Sequence, residues 1–235
     1  MPEIYLVISF FVLNGLFSPS FGQFSYFFML NVAHITKFQY AMFGVISKVC
    51  HILGTMYYKA YLKDTETRTV IYYSTIMCVF STGLKFCFAN RWNLQVGVSD
   101  IVFLVFTDVV FGCLVLAFNV LPCLALFAKI TPPGIEGTVF AFLTGTWNLA
   151  DSVLSPMVGA WINKTFFGVT AEDLKNYPKL CLVQFMFSFL GFLLVPLIPT
   201  KAEIEIYQNQ RKAVKSPVEE PAAEKAGYKK QFQRE

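Results

Sequence analysis

Three polar patterns interrupt otherwise apolar stretches of the sequence and could carry chemistry. In the first, Lys48 and His51 share one face of a predicted helix, flanked on that face by Gly44 and Thr55. A cation inside an apolar segment costs about 2.5 to 3.5 kcal/mol on insertion scales, so it is kept where it binds, couples or pairs. Lys48 is either a binding or coupling residue or half of a structural ion pair, and we favour the first.

The second pattern runs through Asp100, Asp108 and Asn119 along one apolar segment. Asp108 and Asn119 are 11 residues apart and therefore nearly aligned on a helix, whereas Asp100 is expected near the membrane interface. Burial of an unpaired carboxylate favours its protonated form, which makes Asp108 a candidate proton site. A static ion pair with a cation such as Lys48 is an equally good reading. Lys85 is expected to extend to the membrane interface instead.

The third pattern is a narrow polar stripe on one apolar segment, at positions i, i+4, i+7 and i+11: Thr144, Asn148, Asp151 and Ser155. Such a stripe is expected to line a polar space. Beside it, small residues recur every four positions, at Gly137, Ala141 and Gly145. This spacing allows close approach of membrane helices, so it predicts packing of this helix against a neighbour.

Six long apolar segments carry these side chains. Of the 235 residues, 55% are hydrophobic and only 14% are charged, whereas a soluble domain carries about 25% charged residues. About 20 apolar residues in a helix cross a bilayer core, because every backbone polar group must be paired internally there. We predict an all-α integral membrane protein, a bundle of six transmembrane helices at about Ile4 to Leu30, Phe38 to Tyr61, Thr69 to Ala89, Ser99 to Ala128, Ile135 to Ile162 and Lys179 to Ile198.

Glycine and proline residues inside three of these helices predict kinks, namely Gly15, Pro19 and Gly22 in the first, Gly112 and Pro122 in the fourth, and Pro156 in the fifth. Residues 1–200 form the predicted bundle, and residues 201–235 have the composition of a disordered polar tail. Lys and Arg residues near the helix ends favour cytosolic termini by eight against five. Plasma membrane and organelle membrane both remain open.

Several function classes are disfavoured by the sequence. The net charge is +4 and eight Lys or Arg residues fall in the tail, so no basic patch indicates nucleic acid. The six cysteines are scattered through apolar segments without metal-ligand spacing, which predicts neither a metal site nor a cofactor. No HExxH, Ser-His-Asp or phosphate-loop pattern occurs in the sequence, so an enzyme is not expected.

A longer motif lies between Val98 and Asn148. It contains Asp100 and Asp108, and its most specific part is a Pro-Pro-Gly turn followed by Glu136, a Gly-Thr-Val-Phe-Ala run and, twelve residues after Glu136, Asn148. This motif resembles the folate-biopterin transporter family. Arg68, the Asn-Arg-Trp-Asn run at 90–93 and the Phe-Gly-Val-Thr run at 167–170 are also similar to that family.

The resemblance implies the major-facilitator fold, in which two six-helix halves enclose the substrate between them. This chain resembles the C-terminal half, and no first half is expected ahead of its first helix. The resemblance makes Asp100, Asp108, Glu136 and Asn148 functional candidates. It implies transport of folate-like or pterin-like solutes by alternating access with proton coupling. In this reading Lys48 and His51 serve the anionic part of the solute and Trp147 stacks on its ring.

The implied partners are the lipid bilayer, the solute, and a second six-helix half or a partner membrane subunit. The main alternative is a non-transporting structural or accessory subunit of a larger complex, derived from such a transporter. The expected absence of a first half motivates it.

Overall fold

The computed structural model describes residues 2–131, 134–207 and 209, and the regular structure in these residues is helical. The helices are α1 (Pro2–Phe17), α2 (Gly22–Asn31), α3 (Lys37–Tyr57), α4 (Thr67–Ala89), α5 (Trp92–Gln95), α6 (Asp100–Leu104), α7 (Gly112–Ile130), α8 (Glu136–Leu149), α9 (Ser155–Ile162), α10 (Tyr177–Ser188) and α11 (Gly191–Leu194). They join into six long helical segments that match the predicted membrane helices in order: α1 with α2, α3, α4, α6 with α7, α8 with α9, and α10 with α11.

Four of these segments are long and apolar enough to cross a membrane, when judged by length and composition within the described residues. They are Ile4–Asn31, Thr67–Ala89, Asp100–Ile130 and Tyr177–Leu197. The segments that begin with α3 and α8 do not reach that limit, because they carry polar stripes around Lys48 and Asn148. The architecture is therefore an integral, multi-pass helical bundle. The two most polar segments, which begin with α3 and α8, need neighbouring helices to cover their polar faces.

The first segment is broken, as its proline and glycines predict. α1 ends at Phe17 and α2 begins at Gly22, with the backbone between them not helical. The α8–α9 segment pairs the freed backbone groups: the Ser155 hydroxyl donates to the Ser18 carbonyl, and the Ser20 N–H donates to the Ser155 carbonyl at 3.1 Å. This pairing explains how an irregular backbone is tolerated inside an apolar bundle.

Wider, π-helical turns interrupt several segments. They cover Tyr58–Leu62 after α3, Val105–Phe111 between α6 and α7, Ala150–Leu154 between α8 and α9, and Asn163–Phe167 after α9. Two of them contain an acidic residue, Asp108 in one and Asp151 in the other. Because π turns rotate the side chains that follow and often occur at functional sites, these two positions are of special interest.

Two glycines permit the closest helix approach in the bundle. A Cβ atom at Gly159 would lie 2.2 Å from the Ser20 carbonyl oxygen, and one at Gly15 would lie 2.8 Å from the Ala150 carbonyl oxygen. A Cβ at Gly137 or Gly145 would meet nothing within 4 Å. The predicted packing of the small-residue face of α8 is therefore wrong within the described chain, and the close contact uses Gly159 on the same segment instead.

The apolar core of the described residues has three clusters, of which two are large. One joins α1, α7 and α8 through Val7, Phe11, Phe127 and Leu143, all nearly inaccessible to solvent. The other joins α2, α4 and α10 through residues such as Phe28, Phe88 and Leu180. α4 packs against both α7 and α10, so it holds the two clusters together. The candidate site described below is next to the second cluster.

The last segment is fixed at its end by Arg68. The Arg68 Nε donates to the Ile198 carbonyl at 2.8 Å, and its Nη2 lies 3.3 Å from Glu203 Oε2. Glu203 also accepts from the Thr200 backbone N–H at 2.7 Å, and its own N–H donates to the Thr200 hydroxyl, which is a capping box. Hydrogen bonds from the Thr200 N–H and hydroxyl, with a smaller contribution from Arg68, lower the pKa of Glu203.

This cap begins a helical stretch at residues 201–207, within the region predicted to be a disordered tail. Residues 208 and 210–235 of that region lie outside the described residues. The Thr-x-x-Glu pattern at 200–203 is the sequence signal that predicts such a helix start.

Candidate functional site

An ion pair between α4 and the adjacent π turn is the main polar feature inside the bundle. The Lys85 Nζ lies 3.2 Å from Asp108 Oδ1. Lys85 was predicted to extend to the membrane interface, and Lys48 was the cation suggested for Asp108. Both expectations are wrong, because the packing of α4 against the π turn brings Lys85 to the carboxylate.

The pair is partly withdrawn from solvent but is not fully satisfied. The exposed fractions of the side chains are 38% for Lys85 and 25% for Asp108. Although Asp108 Oδ1 is within ion-pair distance of Nζ, it accepts no well-oriented hydrogen bond from the described residues. An attraction without good hydrogen-bond geometry leaves both groups able to bind a third polar partner.

Next to this pair is a cavity of about 360 Å³. It opens between the break in the first segment, α3, α4, the π turn and α10. Its walls combine aromatic rings with hydroxyl, amide and charged groups, from Ser20, Phe21, Gly22, Ser25, Tyr26, Met29, Tyr40, Phe43, Gly44, Ser47, Lys85, Asp108, Val109, Tyr177 and Gln184. An apolar, aromatic wall with a few convergent polar groups is the usual composition of a small-molecule site.

The aromatic residues of the cavity are held by neighbouring rings. Tyr26 packs edge-on against Tyr40, with ring centroids 4.9 Å apart, and this contact joins α2 to α3. Tyr177, which is almost fully buried, packs against Phe28 with centroids 4.6 Å apart. Fixed rings of this kind can stack against a flat heterocycle without losing much side-chain freedom on binding.

The residues predicted to share one face of α3 lie in different surroundings. Gly44 lines the cavity, whereas Lys48 is exposed and forms no ion pair with a described residue. His51 is half-buried, and its backbone carbonyl accepts a hydrogen bond from the Thr55 hydroxyl at 2.8 Å. The structure therefore brings Asp108 and Gly44 to one cavity but leaves Lys48 and His51 outside its walls.

The predicted polar stripe that starts on α8 does not line the Lys85–Asp108 cavity. Asn148 and Asp151 are exposed, and the buried hydroxyl oxygen of Thr144 has no hydrogen-bond partner among the described residues. Asp151 lines a separate, small cavity against α1. Trp147, which was predicted to stack on a solute ring, stacks on Phe11 with centroids 6.2 Å apart. This stripe thus faces α1 and the surface, away from the Lys85–Asp108 cavity.

Asp100 belongs to a connection between helices. Its two carboxylate oxygens accept from the Arg91 Nη2 and the Asn93 Nδ2, each at 2.8 Å. Arg91 has a left-handed backbone, with φ of 61°, and its guanidinium lies over the Phe88 ring. Asp100 therefore fixes the turn between α4 and α6 at the N-terminus of α6, where a carboxylate is favoured.

Two further predicted residues lie away from the cavity. Glu136 is exposed at the start of α8, and its Oε1 accepts the Gly134 N–H at 2.9 Å. Positions 132 and 133 of the motif's proline pair lie outside the described residues. Asn119 is half-buried on α7, where the Cys123 thiol approaches its Oδ1 at 3.9 Å. These contacts are local to a turn or a helix.

Sequence reasoning missed Lys85, Tyr177 and Gln184. Lys85 is a cation in an apolar helix, the same signal that drew attention to Lys48. Tyr177 and Gln184 are seven residues apart on α10 and so share a face, a weak signal that a helical projection could have found.

The fold and the cavity together define a multi-pass helical membrane protein with a partly polar site inside the bundle. The model of the BT1 family matches residues 2–218, and the chain belongs to that family. Among its relatives, the "Probable folate-biopterin transporter 6" of Arabidopsis thaliana is 28% identical over 160 residues, which cover 68% of this chain and 31% of the relative.

Two other relatives are also transporters by name and are also matched over only part of their length. The "Folate-biopterin transporter" of Synechocystis sp. is 28% identical over 66% of this chain and 31% of its own length. The "Folate transporter 1" of Plasmodium falciparum is 18% identical over 82% of this chain and 37% of its own length. The chain thus spans about a third of the length of these curated relatives. No solved structure gives a significant match to it. The names of these relatives describe transporters.

Proposed function

We propose that residues 1–200 form one six-helix half of a carrier for folate-like or pterin-like solutes, and that the cavity beside Lys85 and Asp108 is this half's part of the solute site. The observation that carries the proposal is the ion pair in the wall of an aromatic cavity. The names of the relatives supply the solute class. A second six-helix half of the same fold completes the site, and the two halves rock around it.

The chemistry of the cavity suits a pterin ring. Such a ring is flat and aromatic, so it stacks on tyrosine and phenylalanine side chains such as Tyr40 and Phe43. Its amino and ring N–H groups donate to a side-chain oxygen of Asp108, which can accept a hydrogen bond in both the ionised and the protonated form. The Gln184 amide offers both a donor and an acceptor, and Lys85 attracts the anionic part of a folate.

The same pair supports a proposal of proton coupling. When Asp108 is ionised it holds Lys85, and when it takes up a proton the attraction to Lys85 is lost and the ammonium group can turn to an anionic solute. The other titratable groups near the pair are Cys78 on α4 and Tyr177 and Cys181 on α10. Asp108 is the carboxylic acid among them.

The surroundings of the half are part of the proposal. Apolar side chains on α3, among them Val45, Val49 and Ile52, are exposed and would contact lipid or the second half. We place both termini in the cytosol, from the distribution of Lys and Arg near the helix ends. Either a plasma membrane or an organelle membrane is compatible with these features.

Uptake of radiolabelled folate and biopterin tests the proposal. Cells would express this chain alone, or together with the part of the Synechocystis relative that this chain does not match. We expect uptake above background when both are present, because one half supplies only one wall of the site. If the chain inserts in the membrane and neither arrangement gives uptake, the carrier proposal fails and the accessory-subunit alternative is favoured.

A further inference from the structure

A second, smaller cavity of about 50 Å³ lies between the end of α1 and the π turn Ala150–Leu154. Its polar lining is made of oxygen-bearing side chains from the two segments: Asn14 and Ser18 on one side, and Asp151 and Ser155 on the other. Phe11 and Trp147 form its apolar wall. The Lys85–Asp108 pair does not line this cavity, so this is a separate site.

The negative charge at this cavity comes from Asp151, and neutral side-chain oxygens surround it. Phe11, Asn14, Gly15 and Ser18 follow one another at i, i+3, i+4 and i+7, so the cavity lies along one side of the first segment. Asp151 faces them from the π turn and is exposed. Within the part of the chain that the structure describes, its carboxylate forms no ion pair. A carboxylate without a cation, next to neutral oxygen atoms in one small space, favours a positive charge there.

The side chains around the cavity are held in place by the break in the first segment. Ser155 is buried, and its hydroxyl donates to the Ser18 carbonyl. The Ser18 hydroxyl is 3.5 Å from Asn14 Oδ1, a long contact that leaves both oxygens able to accept another partner. Ser20 is tied to the same segment through its N–H, at 3.1 Å from the Ser155 carbonyl. The oxygen atoms therefore surround the cavity on a fixed frame.

We propose that this cavity is a binding site for a monovalent cation, Na⁺, with Asp151, Asn14 and Ser18 as the principal ligands. A site made only of oxygen ligands prefers a hard cation to zinc or copper, which bind more strongly to nitrogen and sulfur. Ca²⁺ sites usually carry more carboxylates than one. The volume accommodates one ion or one water molecule, since a water in the liquid occupies about 30 Å³.

A bound Na⁺ would link the broken first segment to the π turn. The site therefore goes beyond the proposed solute cavity and does not rest on it, because its ligands, its cavity and its charge are all separate from Lys85 and Asp108. Occupancy would stabilise the contact of α1 with the α8–α9 segment, at the closest approach in the bundle.

Binding of ²²Na⁺ to the purified chain in lipid nanodiscs tests this inference, measured by scintillation proximity with choline as the replacing cation. We expect saturable binding that unlabelled Na⁺ displaces and choline does not. Asp151→Asn should weaken it at least tenfold, because it removes the formal negative charge. Asp173→Asn, at an exposed loop position, is the matched control and should bind as the unmodified chain does.

A second variant distinguishes the loss of a ligand from misfolding. Asn14→Ala removes one ligand without changing charge, and size-exclusion profiles report whether each variant is folded. We expect a measurably weaker affinity in Asn14→Ala as well. Absence of saturable ²²Na⁺ binding to the unmodified chain, or equal affinity in folded Asp151→Asn or Asn14→Ala, would overturn the site. Neither result bears on solute uptake, which is measured separately.

Discussion

Asp108→Asn should reduce solute uptake by the assembled carrier about 10- to 100-fold. The substitution keeps the shape of the side chain but leaves a neutral group that neither holds Lys85 nor takes up and releases a proton. Hydrogen bonds to charged groups contribute about 1.5 to 3 kcal/mol, and a factor of ten corresponds to about 1.4 kcal/mol. Initial rates of folate uptake, normalised to the amount of protein in the membrane, measure the effect.

The pH dependence of uptake separates binding from coupling. If the proton is carried on Asp108, uptake by the unmodified carrier rises as the pH on the entry side falls, and the residual uptake of Asp108→Asn does not. Asp173→Asn is the control, because it removes an exposed carboxylate that lies outside both cavities. Uptake by Asp108→Asn within twofold of the unmodified carrier, with its pH dependence intact, would contradict the assignment.

Gly159→Ala should destabilise the bundle strongly. The added Cβ would lie 2.2 Å from the Ser20 carbonyl oxygen and 3.0 Å from the Ser20 carbonyl carbon, so the break in the first segment must move away from α9. Overpacking costs about 1 to 3 kcal/mol where flexible side chains can adjust, and here the obstructing atoms are backbone. The apparent melting temperature of the purified chain in detergent, followed by size-exclusion chromatography, should fall.

Gly145→Ala is the matched control, since it makes the same change on the same long segment. A Cβ at Gly145 meets nothing within 4 Å, and alanine is favoured over glycine inside a helix by about 0.5 to 1 kcal/mol. We therefore expect an unchanged or slightly higher melting temperature. If Gly159→Ala is as stable as Gly145→Ala, the close contact between the first and fifth segments is not present in the folded protein.

The sequence predicts the helical segments well because their signal is local. Bilayer thickness sets the length of an apolar run, and Pro19 with its neighbouring glycines predicts the break before α2. The same reasoning identifies Asp108, since a carboxylate in an apolar run is unusual in any context. The π turn around it cannot be read from the sequence, because one added residue per turn leaves no recognisable pattern.

The partner of Asp108 required tertiary structure. Lys85 lies only four residues before the end of α4, so its long side chain is expected to leave the apolar region. The contact arises because α4 packs on the π turn at that level, and no feature of either segment alone encodes this depth. The small residues show the same limit. Gly137 and Gly159 are both glycines in apolar helices, and the sequence does not say which of them contacts another helix. The position of the broken first segment decides it.

The central claim is that the cavity beside Lys85 and Asp108 holds the solute, and protection from chemical labelling tests it most directly. Ser25→Cys places a thiol in the cavity wall, and Ser152→Cys places one at an exposed position outside it. In membranes containing the chain and the second half, the rate of maleimide labelling at each position is measured by mass spectrometry, with and without biopterin. We predict that saturating biopterin slows labelling at position 25 at least fivefold and leaves position 152 unchanged. Equal labelling at position 25 with and without biopterin, in membranes that take up the solute, would contradict the claim.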